Sequence, residues 1–158
     1  KLEQLAKILR VISEKYDLPI VFSAHPRTLK NVKAFGIEFE KNVRFLRPLS
    51  FSDYNCLQLN SFCTLSDSGT ITEESSILGF SALNLRENQE RPEGIEVGVC
   101  PFTGFNEKSI MTSLSMIGTH DAVKPKVLDY EASDVSERFV KLLVSYIPYV
   151  NKYTWHLN

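Results

Sequence analysis

The chain has 158 residues, 18 basic and 19 acidic side chains, a net charge of −1 and 43% hydrophobic residues, enough for one domain with a core and too balanced in charge for a nucleic-acid surface. Charges of both signs are interspersed, and no apolar run of membrane-spanning length or signal-like leader occurs, so a soluble domain is expected, with no membrane partner. Cys56, Cys63 and Cys100 show neither disulfide nor metal spacing and are expected to be reduced and buried, as in a cytoplasmic protein.

Leu2, Leu5, Ile8, Leu9 and Ile12 recur at three- and four-residue steps, which predicts an amphipathic helix to about Tyr16, ended by Asp17 and Pro19. The chain enters this pattern at Lys1 without a methionine, as an excised piece of a longer protein would. Residues 19–24 read as a buried parallel strand halted by His25-Pro26, so His25 stands at a strand's carboxyl end. A helix over 28–35 closed by Gly36, a strand over 43–46 broken by Pro48 and a helix over 51–59 follow. The rhythm continues with a strand over 62–65, a helix over 70–78 stopped by Gly79 and a strand over 82–85. Next come a helix over 92–97, a strand-like run over 99–102, a helix over 107–117 and a loop over 120–126. Asp134-x-x-Glu137 opens a last helix with Val135, Phe139, Leu142 and Leu143 on one side. Pro148 is expected to end it, so the domain runs over 1–147, and the aperiodic aromatic tail 148–158 is expected to pack on a neighbouring domain.

Strands alternating with helices predict an α/β domain, one parallel sheet with helices on both faces and ligands outside the carboxyl ends of its strands. His25-Pro26-Arg27 after the first strand contains no glycine, which disfavours a nicotinamide-dinucleotide site. The apolar run 62–65 instead halts at Ser66-Asp67-Ser68-Gly69 before a helical pattern, a layout that offers backbone N–H groups to an anion such as phosphate. Taken alone, Ser68, Gly69 and Thr70 read more readily as an ordinary helix start, with Thr70-x-x-Glu73 as a capping box. Arg91, in Glu90-Arg91-Pro92-Glu93, emerges on the same side if the two strands are parallel, to pair either with its glutamate neighbours or with phosphate. Glu74 falls among Ile71, Ile77 and Leu78 on a helical wheel, where an unpaired carboxylate is costly, so it needs a partner. His25 is a structural histidine or a donor beside the elbow; Tyr54 is a half-buried helix tyrosine or a ligand contact; His120 and His156 fit no part of the pattern.

Ser66-Asp67-Ser68-Gly69-Thr70-Ile71-Thr72-Glu73-Glu74, then Arg86 through Arg91-Pro92-Glu93, with His25-Pro26-Arg27-Thr28 upstream, resembles the non-hydrolysing UDP-N-acetylglucosamine 2-epimerases. Their pattern reads S-D-S-G-G-I-x-E-E and then R-x-x-T-E-R-P-E, and Thr70 stands where they carry a second glycine. The resemblance implies the Rossmann-like C-terminal domain of a two-domain, glycosyltransferase-B-like enzyme. It implies that Ser68, Gly69, Thr70 and Arg91 hold the diphosphate of UDP, with Arg27 as a further contact. Glu74 then takes the ribose hydroxyls, Tyr54 lies beside the uracil and His25 donates to the departing phosphate. No cofactor and no metal are implied; UDP and a UDP-N-acetylhexosamine are the implied ligands.

The reaction so implied inverts carbon 2 by eliminating UDP to a 2-acetamidoglucal and adding it back after the proton returns to the opposite face. The family's proton-transfer carboxylates lie in an N-terminal domain outside this sequence, so the isolated piece is expected to bind UDP weakly and not to turn over. That domain and a second copy in a homodimer are the expected partners, and envelope polysaccharide synthesis the expected setting. Residues 70–78 with 82–86 also resemble the branch that converts a UDP-2-acetamido-2,6-dideoxy-L-talose to UDP-N-acetyl-L-fucosamine. A UDP-sugar glycosyltransferase and a non-catalytic UDP-sugar sensor are the competing classes.

Overall fold

The computed structural model describes residues 1–88, 90–117 and 124–157, which form two compact units, Lys1–Val127 and Leu128–Asn158. The first unit runs α1 (Leu2–Tyr16), β1 (Ile20–Ser23), α2 (Pro26–Ala34), β2 (Val43–Leu46), α3 (Phe51–Leu59), β3 (Thr64–Ser66), α4 (Ile71–Leu78), β4 (Ala82–Asn84), α5 (Pro92–Val97) and α6 (Glu107–Met116). It is an α/β fold: β1 pairs with β2 and β3 with β4, both in parallel, and each pair is joined through a helix. Most of the expected loop over 120–126, His120 included, lies outside the described residues.

Side-chain alternation along β4 shows why helices cover both faces. Leu83 and Leu85 join α1 (Ile8, Leu9, Ile12) and α6 (Ile110, Leu114) in one buried cluster, while Ala82 packs with Ile71, Phe80 and Cys100 in another. On the first pair, register partners Phe22 and Phe45 stack with Phe39 at ring-centroid distances of 4.9 to 6.2 Å.

In that α/β arrangement the described strands lie in two parallel pairs, β1–β2 and β3–β4. Some expectations are corrected. The run 99–102 supplies a single bridge, Phe102 to Asn84, since Pro101 within it has no N–H to donate to a ladder. The buried face of α4 is Ile71, Thr72, Ser75 and Ser76, whereas Ile77 and Leu78 are exposed. Small side chains suit that face because α5 lies close against it: a Cβ on Gly94 would stand 2.1 Å from Thr72 Cγ2.

Another correction concerns the cysteines. All three are free, but Cys56 is exposed, on the outer side of α3. Burial, followed by the neighbouring Cys100, pushes the Cys63 thiol up to about 12, and burial pushes Cys100 to about 11. At pH 8 their thiolate fractions are therefore roughly 10⁻⁴ and 10⁻³. Iodoacetamide at that pH is expected to label Cys56 alone, read by mass spectrometry; labelling of Cys63 at a comparable rate contradicts the packing described.

The second unit holds a short 3-10 turn (Leu128–Glu131) and α7 (Val135–Tyr153). Pro148 does not end this helix: it lies inside it, with the chain helical for five residues beyond. A proline forfeits one backbone hydrogen bond, and the helical period survives on the other side, where Tyr146, Tyr149 and Tyr153 stack at 5.5 and 4.9 Å. The boundary expected at 147/148 thus falls within α7, and the supposed aperiodic tail begins as a continuous helical face. No helix among the described residues is long and apolar enough to cross a membrane.

Candidate functional site

The turn from β3 into α4 is held locally by Ser66, whose Oγ accepts the Ser68 N–H at 3.1 Å. Thr70, at the helix's N-terminal boundary, has helical dihedrals (φ −74°, ψ −8°) and makes no side-chain cap. Its hydroxyl instead donates to Glu74 Oε1 at 2.7 Å, with Ser68 Oγ 3.0 Å away. The expected capping box is therefore not formed, because a residue in the helical region cannot turn its oxygen back to the N–H groups of its own first turn. Glu73 does not cap either; its Oε1 accepts from Arg91 Nε. Among the described residues no side-chain cap covers the N–H groups of the first turn of α4, which stands at the carboxyl end of a parallel strand pair.

Two arginines reach the same elbow. A Cβ on Gly69 would lie 2.9 Å from Arg86 Nη1 and 4.0 Å from Arg91 Nη2, so both guanidinium groups face the bare glycine. Arg86 leaves the end of β4, its N–H donating to the buried Asn84 Oδ1 at 2.9 Å. Arg91 opens α5 with Pro92 in the first turn, and the approach of Gly94 to Thr72 sets how far α5 advances along α4. The Glu90 carboxylate bridges the two, accepting both Arg86 Nη groups and standing 3.5 Å from Arg91 Nη1, with Oε2 3.4 Å from the Gly69 Cβ position. A carboxylate thus occupies the point where two guanidinium forks and the start of a helix converge, which is the geometry a phosphate would use.

Glu74 is half-buried, and its partners are neither lysine nor arginine: Thr70 holds Oε1 and Gln58 Nε2 holds Oε2 at 2.8 Å. Gln58 is 2% exposed, and its own Oε1 is buried without a partner among the described residues. One turn earlier on α3 stands Tyr54; burial and then the Glu74 charge push its phenol above the usual range. Ser68, Thr70, Glu74 and Gln58 form one polar chain from the elbow to α3, with Tyr54 close enough to feel the Glu74 charge. His25 caps α2, its Nδ1 accepting the Arg27 N–H at 3.2 Å. Its side chain lines the same cleft, of about 1090 Å³, as Tyr54, Asp67 and Arg86.

Ser68, Gly69, Thr70, Glu74 and Arg91 therefore come together; Tyr54 and His25 line the neighbouring cleft, which Ser66, Asp67 and Arg86 join to the elbow, and Arg27 is exposed on α2, outside both. Two participants escaped the sequence reading. Arg86 carried a usable signal, being the first residue after an apolar strand on the carboxyl side. Gln58 carried a weaker one, its spacing of four from Tyr54, which puts both on one face of a helix.

Residues 1–144 match the model of a protein family described as UDP-N-acetylglucosamine 2-epimerase. The enzyme of that name from Methanocaldococcus jannaschii is 32% identical over 121 residues, 74% of this chain and 33% of the relative; that from Bacillus subtilis is 29% identical over 149 residues, 90% and 39%. The chain thus spans between a third and two fifths of these relatives. Among solved structures, the UDP-N-acetylglucosamine 2-epimerase from Rickettsia bellii superposes with a TM-score of 0.79 at 38% identity, over 98% of this chain and 44% of that one. The M. jannaschii enzyme in complex with UDP-GlcNAc and UDP gives 0.75 at 29% identity, over 91% and 40%.

Proposed function

The chain belongs to the UDP-N-acetylglucosamine 2-epimerase family, and from that premise we propose that it is the UDP-binding, C-terminal part of a non-hydrolysing 2-epimerase acting on UDP-N-acetylglucosamine. The observation that carries the proposal is the convergence of Arg86, Arg91 and the uncapped start of α4 on Gly69. UDP enters with its diphosphate in place of the Glu90 carboxylate, Ser68 and Thr70 donating from the elbow. The ribose hydroxyls donate to Glu74, which Gln58 already orients, and the uracil lies against Tyr54.

In the reaction a base removes the proton from carbon 2 while the bond from carbon 1 to the β-phosphate oxygen breaks, its electron pair leaving with UDP. Charge then grows on the β-phosphate, where the two guanidinium groups and the α4 N–H groups already point, so their stabilisation is largest in the transition state. His25, with Nδ1 engaged by the Arg27 N–H, has only Nε2 to offer the leaving oxygen. Return of the proton to the opposite face of carbon 2, and of UDP to carbon 1, completes the inversion. The remaining part of the enzyme supplies the acid and base at carbon 2, α7 packs its exposed apolar face there, and the intact enzyme works in the cytoplasm as a homodimer.

Calorimetry is expected to show this chain binding UDP more tightly than uridine, and proton NMR to show no epimerisation of UDP-N-acetylglucosamine by it. Equal affinity for uridine and UDP removes the diphosphate assignment, and turnover by the chain alone removes the division of labour.

A further inference from the structure

Glu74 is held at both carboxylate oxygens, and the two holds come from different helices. Within α4 the Glu74 N–H donates to the Thr70 carbonyl at 2.9 Å, and the Thr70 hydroxyl donates to Oε1 at 2.7 Å. The single hydroxyl hydrogen of Thr70 is spent there, so Ser68 Oγ, 3.0 Å from Thr70 Oγ1, is the donor in that contact. From α3, Gln58 Nε2 donates to Oε2 at 2.8 Å. A carboxylate oxygen only accepts, which fixes the direction of the Gln58 amide and turns its Oε1 elsewhere. That oxygen is buried without a partner among the described residues, on a residue 2% exposed. A buried carbonyl oxygen with no donor is destabilising, and a leucine of similar size would fill the space without that penalty. Stability does not account for a glutamine here; the hold on Glu74 does.

Both anchors are neutral. A lysine or arginine would neutralise the carboxylate, whereas Gln58 and Thr70 fix its plane and leave its charge for a further donor. A carboxylate accepts about four hydrogen bonds, and one position on each oxygen is taken. Each oxygen of this half-buried group thus keeps an acceptor position, a match for two hydroxyls on adjacent carbons. We infer that Gln58 and Thr70 are positioning residues that make the site select ribonucleotides over 2′-deoxyribonucleotides, by presenting Glu74 in one orientation to the 2′- and 3′-hydroxyls together. The inference rests on the reading of Glu74 as the ribose contact and adds the residues that make this contact selective. An unheld glutamate would turn to whichever hydroxyl remained and lose side-chain freedom on binding; a held one has already lost it. Thr70 has this part because it stands where the family's pattern carries a glycine, which has no hydroxyl to offer.

Calorimetry of UDP and 2′-deoxy-UDP binding to the intact protein tests this. UDP is expected to bind about 10- to 100-fold more tightly, the worth of one hydrogen bond to a charged group. Gln58→Leu and Thr70→Val are each expected to lower that ratio by about threefold or more, weakening UDP and sparing 2′-deoxy-UDP, and together to bring it within about twofold of unity. Thr70→Ser, which keeps the hydroxyl, keeps the ratio. The thermal midpoint of Gln58→Leu is expected at or above that of the unaltered protein, since the variant no longer buries the unpaired oxygen. A ratio that Gln58→Leu leaves unchanged overturns the inference, and a lowered midpoint then marks Gln58 as a structural brace. UDP bound no more tightly than 2′-deoxy-UDP by the unaltered protein overturns the inference alone. If neither nucleotide binds, the UDP reading fails and takes the inference with it.

Discussion

Gly94→Ala is expected to lower the thermal midpoint by roughly 10 °C, the consequence of about 3 kcal/mol of overpacking. The added Cβ would stand 2.1 Å from Thr72 Cγ2, the end of a β-branched side chain held in a buried helix face, so neither partner can yield without parting α4 from α5. The companion variant is Thr72→Ser, which removes Cγ2 and keeps the hydroxyl; the next nearest Thr72 atoms lie 3.6 and 3.9 Å from the Cβ position, ordinary contact distances. In a double-mutant cycle Thr72→Ser is expected to recover more than half of the loss. Additive effects would mean that Gly94 matters for its backbone and not for this contact. Because α5 carries Arg91, Gly94→Ala should also weaken UDP binding at temperatures where the protein remains folded.

Arg91→Ala is expected to weaken UDP binding to the intact protein by about 100- to 10,000-fold, the loss of two charge-assisted hydrogen bonds at about 1.5 to 3 kcal/mol each. Uridine affinity should hardly change, since Glu74, Gln58 and Tyr54 form a separate part of the site. Arg91→Lys keeps a cation beside Glu73 but not the planar fork, and is expected to recover folding stability fully and affinity only in part. That split separates a phosphate contact from a merely structural ion pair, in which lysine would restore both. Calorimetry with UDP and uridine on the three proteins decides it, and parallel losses for both ligands would move Arg91 out of the phosphate site.

Much of the fold could be read without coordinates, for identifiable reasons. The three- and four-residue spacing of Leu2, Leu5, Ile8, Leu9 and Ile12 marks α1 because a helix needs one apolar stripe. The short apolar runs before His25 and Ser66 mark β1 and β3 because strands covered on both faces are apolar throughout. Gly79 and its left-handed φ of 76° end α4 where a side chain would be strained. Pro148 misled for the converse reason: a local penalty predicts a helix end, yet a face continuing through Tyr149 and Tyr153 outweighs it.

What the chain determined by itself was the order of helices and strands, their parallel sense and the gathering of Ser68, Gly69, Thr70, Glu74 and Arg91 at one carboxyl edge, since local periodicity and short connections leave few other arrangements. Only the tertiary structure decided that Thr70 serves Glu74 rather than capping α4, that Gln58 completes that pairing, and that Arg86 joins Arg91 over Gly69. Each of these depends on a distance between segments far apart in sequence or on one backbone dihedral, and neither is encoded in spacing along the chain.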